Sequence, residues 1–406
     1  MARILIAWEL GAGLGHLTRI LPVAEALGRR GHRLFLALQH LGAARAAGLP
    51  ERLAGADLAV RQAPRWPVPR GPHVSKVPTH SLADVLKLFG FHEAAQVSAV
   101  ARAWREILRE AQPDLVIGDF SPGLRLALGE RCPMVVLGNG YTVPPAGRPL
   151  PPIRPWEAVL PPASLEAEAE ITRTLADEMA AAGDRAPGHL SDLFAGTRTF
   201  VCTVPDFDPY AAHRSEATVA PFNLPAIGPV VPVDQRPEGR VFVYLQGDHP
   251  DLPILLEALR NLGLSGIAYI PGLPPSLRER FAGPGLEFRD KPQPLGELLP
   301  TVRLLVHHGG LSTAYAGLAS ATPQLLLTWN LEHLVTARGV ARYGCSIVTT
   351  QVQRKNVGTM EKALQALATD PRPRLAAEQA AKIVAGRAGP HPLAGILAAC
   401  EELLAA

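Results

Sequence analysis

The chain is 406 residues long, 47% hydrophobic and nearly charge-balanced, with 40 Lys and Arg against 37 Asp and Glu. That length is enough for two domains with separate cores, and a formal net charge of +3 leaves no basic face of the kind nucleic acid needs. The four cysteines, Cys132, Cys202, Cys345 and Cys400, form no Cys-x-x-Cys pair, which argues against a structural metal and against a disulfide framework.

The first predicted strand is Arg3–Trp8. Its apolar run is too short for a signal peptide core and is closed at once by Glu9. No stretch approaches the ~20 apolar residues of a membrane span, so a cytoplasmic protein is the expectation. A Gly-rich turn follows, Gly11-Ala12-Gly13-Leu14-Gly15-His16. Leu17, Ile20, Leu21, Ala24 and Leu27 then recur at helical spacing until Gly28 and Gly31 stop the helix. Further strands are predicted at 33–38, 115–118 and 134–137. Strands alternating with helices imply a doubly wound parallel sheet, whose ligands sit beyond the carboxyl ends of the strands, where His16 and Asp119 both fall.

Residues 64–78 and 141–162 break this rhythm. Both are dense in proline and carry Trp66, His73, Tyr141 and Trp156. Such excursions at the ligand edge of a sheet carry specificity or serve as scaffold. Residues 218–239, rich in proline and without helical period, are read as a linker between domains 1–217 and 240–406. The second half repeats the first. Strands are predicted at 241–245, 266–270, 304–306 and 324–327, with a helix over 254–262. Gln246-Gly247-Asp248 ends the first of these strands. A last helix, 393–404, suits either domain.

The most informative stretch is Leu305-Val306-His307-His308-Gly309-Gly310-Leu311-Ser312-Thr313. A buried strand, a glycine turn and a helix start converge free backbone N–H groups and a positive dipole end on one point. Two imidazoles and two hydroxyls stand beside it. This is a chemically sensible seat for a diphosphate, so a nucleotide or nucleotide sugar is expected there. His307 is read as a buried structural histidine.

Two Rossmann-like halves with Gly11-Ala12-Gly13-Leu14-Gly15-His16 early and His307-His308-Gly309-Gly310 late, followed by Ala321-Thr322-Pro323, resemble GT-B glycosyltransferases. The resemblance is to the family 1 group of UDP-glucuronosyl-type and antibiotic-modifying enzymes. It implies an α/β fold of two doubly wound parallel-sheet domains facing a central cleft, the first binding an acceptor and the second a nucleotide sugar. It further implies that His16 takes the proton of an acceptor hydroxyl and that Asp119 pairs with it. The chemistry agrees, since a hydroxyl titrating far above neutrality needs a base near pH 7 and a carboxylate fixes the tautomer of the imidazole. The residues alone also allow His16 to satisfy backbone groups at a helix start and Asp119 to cap the next helix.

For the donor, the resemblance implies contacts from Gly13, Gly15, Gly247, His308, Gly309, Gly310, Ser312 and Thr313, with Glu332 and His333 standing where the family carries an Asp-Gln pair that reads the sugar. Glu332 also reads as a solvated loop carboxylate. Ala316 stands where the family carries an acidic residue on the ribose hydroxyls. The expected function is inverting, metal-independent transfer of a hexose from a nucleoside-diphosphate sugar, of UDP or TDP type, to a small-molecule acceptor, with no further cofactor and no nucleic acid. The alternatives are a sugar-nucleotide epimerase or hydrolase, and a GT-B-like auxiliary or binding protein. Trp66, Trp156, Phe89 and Phe91 suit an apolar acceptor or serve as core anchors. Segment 83–88 is only weakly amphipathic, which leaves membrane association open; the oligomeric state is not legible.

Overall fold

The computed structural model describes residues 1–406 except 12–14, 68–77, 233–234, 238, 284, 351–352 and 354. The chain divides into two compact units, Met1–Val204 with Asp208–Phe222 and Gly389–Ala406, and Pro205–Phe207 with Asn223–Ala388.

The first unit is built on strands β1 (Arg3–Trp8), β2 (Arg33–Leu38), β3 (Leu58–Gln62), β4 (Leu115–Asp119), β5 (Met134–Gly138) and β6 (Arg198–Val201). They form one sheet in the order β3-β2-β1-β4-β5-β6, every pairing parallel. β4 and β5 are buried along their whole length, as their unbroken apolar runs require when helices cover both faces. The Gly15–Arg29 helix buries Leu17, Ile20, Leu21, Ala24 and Leu27. These are the residues at helical spacing, and they pack against Ile4, Ile6 and Trp8. The last helix, Pro392–Ala405, adds Ile396, Leu397 and Cys400 to that same core.

The second unit repeats the plan with β7 (Arg240–Tyr244), β8 (Ser265–Tyr269), β9 (Leu286–Arg289), β10 (Leu304–His307), β11 (Gln324–Leu327) and β12 (Ser346–Thr349). Its order is β12-β11-β10-β7-β8-β9, again parallel throughout. In both sheets the strand order reverses at one place, between β1 and β4 and between β7 and β10, and such switch points are where doubly wound sheets open a ligand crevice. Residues 218–222 group with the first unit and 223–239 with the second.

The excursion over 141–162 is a built loop. Ile153 N–H donates to the His80 carbonyl at 2.8 Å, Leu150 N–H to Glu168 at 2.9 Å, and the His80 ring meets Glu157 at 2.7 Å. The excursion over 64–78 is described only to residue 67 and again at 78. Trp66 there is buried and stacked on Phe91, centroids 3.8 Å apart. Among the described residues no helix is long and apolar enough to cross a membrane.

Candidate active site

In the first unit the switch point sets Trp8 of β1 opposite Asp119 of β4. The Gly15–Arg29 helix begins just beyond and carries His16 in its first turn. His16 Nδ1 lies 2.9 Å from Asp119 Oδ1. Arg19, one turn on, donates from Nε to Asp119 Oδ2 at 2.7 Å and from Nη2 to Oδ1 at 3.0 Å. Asp119 is wholly buried and His16 is 7% exposed. Burial pulls the Asp119 carboxyl upward, but Arg19 and then His16 outweigh it and hold the group below the usual carboxylate range. Asp119 is therefore an acceptor only, and the hydrogen on His16 belongs on Nδ1. Arg19 Nη2, 3.1 Å from that nitrogen, is a donor beside a donor and packs there without a bond.

The ring is clamped. Trp8 stacks at 4.9 Å and 18°, and Phe120 lies parallel at 6.4 Å. Phe120 has φ +47°, a left-handed conformation that costs a non-glycine residue about 1–2 kcal/mol and that turns its ring toward His16. Gly11, at φ +84°, keeps Nε2 open, because a Cβ there would stand 2.5 Å from that nitrogen. Gly13 lies outside the described residues. Gly15 opens the helix, and none of the described residues comes within 4 Å of a Cβ placed there.

In the second unit β10 leads into His308, Gly309 at φ +103° and Gly310, which caps the Leu311–Ala319 helix without a side-chain bond. The N–H groups of Leu311, Ser312 and Thr313 thus lack helical partners, and they converge with the dipole end on the turn. A Cβ on Gly309 would come 2.9 Å from the His333 carbonyl, so the turn is pressed against the Leu331–Ala341 helix.

His307 is structural. Its Nδ1 accepts from Gly309 N–H at 3.2 Å and its Nε2–H donates to Gln324 Oε1 at 2.9 Å, while Gln324 Nε2 donates to Ala314 O at 3.1 Å. His308 sits between Tyr244 at 5.3 Å and His333 at 4.6 Å. The Nδ1 atoms of His308 and His333 are both shut from solvent and find no hydrogen-bond partner among the described residues. Burial, with neighbouring imidazoles second, pushes His307 down to about 3, His308 to about 4 and His333 to about 2. All three are neutral at pH 7. His249 joins them, donating from Nε2 to Leu327 O at 2.9 Å and stacked on Trp329. Burial lowers it too.

Other residues named from the sequence have clear places. Ser312 Oγ donates to Asn223 Oδ1 at 2.5 Å, and Thr313 is buried in the first turn. Glu332 and His333 lie in the first turn of a helix capped by Asn330, whose Oδ1 accepts from His333 N–H at 2.8 Å. Gly247 permits a close approach to the chain itself, since a Cβ would fall 2.0 Å from the Gly272 carbonyl oxygen. Ala316 is wholly buried among Phe242, Leu299 and Leu305. It faces the core.

Three features escaped the sequence reading. Arg19 was signalled only by its i+3 spacing from His16 on one helix face. Glu9 passed as the end of an apolar run, yet it is wholly buried. His249 sits two residues past Gly247 with no motif around it. Among the described residues no group of three or more His, Cys, Asp or Glu is arranged to hold a metal ion.

Two parallel six-stranded sheets of this order define the GT-B fold. Residues 289–403 match the family described as the erythromycin biosynthesis protein CIII-like C-terminal domain. The chain is 28% identical over 360 residues to the demethyllactenocin mycarosyltransferase of Streptomyces fradiae, a match spanning 83% of this chain and 73% of that protein. Two other curated relatives are matched over only 28% and 32% of their length. Among solved structures it is similar to CalG4, the calicheamicin glycosyltransferase, with a TM-score of 0.67 and 22% identity over 100% of this chain and 98% of that one. It is also similar to the glycosyltransferase VinC in complex with dTDP, with a TM-score of 0.63 and 18% identity over 98% and 99%. The resemblance read from the sequence is thus borne out: along its length the chain is similar to antibiotic-type glycosyltransferases.

Proposed function

We propose that the chain is an inverting glycosyltransferase that moves a sugar from a nucleoside diphosphate to the hydroxyl of a small-molecule acceptor. The observation that carries this reading is His16, with Nδ1–H committed to a buried, ionised Asp119 and Nε2 kept open by Gly11. An acceptor hydroxyl delivers its proton to Nε2 as its oxygen bonds to the anomeric carbon. The bond from that carbon to the diphosphate oxygen breaks on the opposite face, and the diphosphate leaves with the electron pair. Asp119 stabilises the imidazolium as it forms.

The leaving group is met by the N–H groups at the start of the Leu311–Ala319 helix and by His308, fixed donors that need no reorganisation as charge develops. Glu332 and His333, in the first turn of the next helix, are assigned to the sugar. Thymidine diphosphate is the favoured donor type, because a structural neighbour of similar fold holds dTDP. The acceptor is proposed to be an apolar natural-product aglycone, in keeping with the substrates named for the relatives.

The test is turnover with TDP- and UDP-sugars against a panel of aglycones, with product stereochemistry read by NMR. His16→Ala should abolish transfer while keeping the thermal stabilisation that the nucleoside diphosphate confers, about 2.7 kcal/mol at ~100 times its dissociation constant. His308→Ala should lose that stabilisation. Transfer by His16→Ala at the wild-type rate would remove the proposed base. Free sugar released without any acceptor would instead identify a hydrolase.

A further inference from the structure

The carboxylate of Glu9 has three partners and no solvent. Oε1 accepts from the Trp66 indole N–H at 2.6 Å. Oε2 accepts from the N–H groups of Gly123 and Leu124 at 2.9 and 3.1 Å, the second and third residues of the Pro122–Leu128 helix. Glu9 thus caps from outside a helix whose own start brings no side-chain cap. Gly123 makes room for it, since a Cβ there would lie 2.2 Å from Oε1.

These contacts bracket the proposed dyad on both sides. Glu9 begins the loop from β1 to His16, and Gly123 lies four residues past Asp119. Between them, Leu10 N–H donates to Phe120 O at 3.0 Å and Trp8 Nε1–H to Leu10 O at 2.7 Å. Next in the chain is Gly11, under His16 Nε2. Through Trp66 the same carboxylate also holds residues 64–67, the described start of the proline-rich excursion.

We propose that Glu9 is a positioning residue for the transfer reaction: it ties the end of β1 with Leu10 and Gly11 beside His16, the turn following Asp119, and Trp66 into one unit. This rests on the glycosyltransferase reading. Burial pushes the Glu9 carboxyl up to about 7 against the opposing pull of the Trp66, Leu124, Trp104 and Gly123 N–H groups. A charge so costly to bury is a poor choice for packing alone, and glutamine would be the cheaper filler. Glutamine, however, carries one acceptor and one donor end, and all three partners are donors. Either Trp66 or the helix start loses its acceptor.

The experiment compares wild type, Glu9→Gln, Trp66→Phe and the double variant, with two readouts. The first is steady-state transfer. Glu9→Gln should lower kcat at least tenfold with the donor KM unchanged within twofold, and the two single effects should be less than additive in the double variant. The second needs no turnover. It is the downfield proton resonance of the His16 Nδ1–H···Asp119 bond, assigned by its loss in His16→Ala, which should broaden or shift in Glu9→Gln. A wild-type resonance with wild-type kcat in a folded Glu9→Gln would overturn the proposal. A wild-type resonance with lowered kcat would overturn it as well, because the loss would not pass through the dyad. If no transfer is found in the wild type, the glycosyltransferase reading fails by itself, and the resonance still decides whether Glu9 orients His16.

Discussion

His307 sets a pH limit on the stability of the second unit. It is 0% exposed, and burial followed by the neighbouring His308 holds it at about 3, down from the ordinary 6.5. A base whose folded value is depressed contributes stability that is fully present above pH 6.5 and is lost as the pH falls toward the folded value. At pH 5 the unfolded imidazole has taken its proton and the folded one has not, so the unfolded state gains about 2 kcal/mol (RT ln of about 33) from this residue. His308 and His333 act with the same sign, and neither charges in the fold at pH 5. Both are partly exposed, so their share is at most about as large each, and the three together approach the lower end of a domain's ~5–15 kcal/mol. The assay is urea unfolding between pH 7.5 and 5, resolved by hydrogen exchange over β10 and β11, for wild type and His307→Asn. The variant should start less stable, because Gln324 Oε1 loses its donor, yet shed about 2 kcal/mol less over that range. Parallel pH curves for the two proteins would refute the neutral, buried state assigned to His307.

Glu9 carries the opposite sign. A carboxyl raised from 4.5 to about 7 gives stability that is complete below pH 4.5 and lost as the pH rises through 7, on the order of 3 kcal/mol. Glu9→Gln should therefore flatten the alkaline side of the stability curve in urea titrations from pH 4.5 to 8.5. Gly247→Ala should lower the melting temperature whether or not a ligand is present, by a destabilisation of about 3 kcal/mol or more, because the clash is with the Gly272 backbone and not with a flexible side chain. Under the donor assignment, a diphosphate placed beside His308, held at about 4, favours its protonated form. Calorimetry in buffers of different ionisation enthalpy should then show proton uptake on binding at pH 6 that is absent in His308→Gln.

The fold was legible because its signal is periodic. Unbroken apolar runs at 115–118, 134–137 and 304–306 can be satisfied only inside a sheet covered on both faces, and all became strands of the two sheets. The Ala94–Ala111 and Pro162–Ala181 helices were not singled out, because their covering faces alternate alanine and charge with no glycine punctuation. At the site, local chemistry could be read but partnership could not. Glycine turns announce a helix start in sequence, whereas Asp119 meets Arg19 across 100 residues and Glu9 meets Gly123 across 114. Ala316 shows what spacing leaves out. Counting along the helix names the residue, but the helix period turns it into the core beside Phe242.

The two strand-edge sites differ in charge and in hydrogen bonding. At the edge of β1 and β4 a carboxylate, a guanidinium and an imidazole are buried together, with Arg19 and His16 holding Asp119 ionised between them. Adding a proton to His16 creates a cation whose partner, Asp119, is already ionised and oriented. At the edge of β7 and β10 the imidazoles are neutral and two ring nitrogens lack partners among the described residues, while the helix start offers N–H groups without charge. A low-polarity site with convergent donors favours an arriving negative group. Under the proposed transfer, the first edge would take up the proton of the acceptor hydroxyl and the second the departing diphosphate. Neither edge does both.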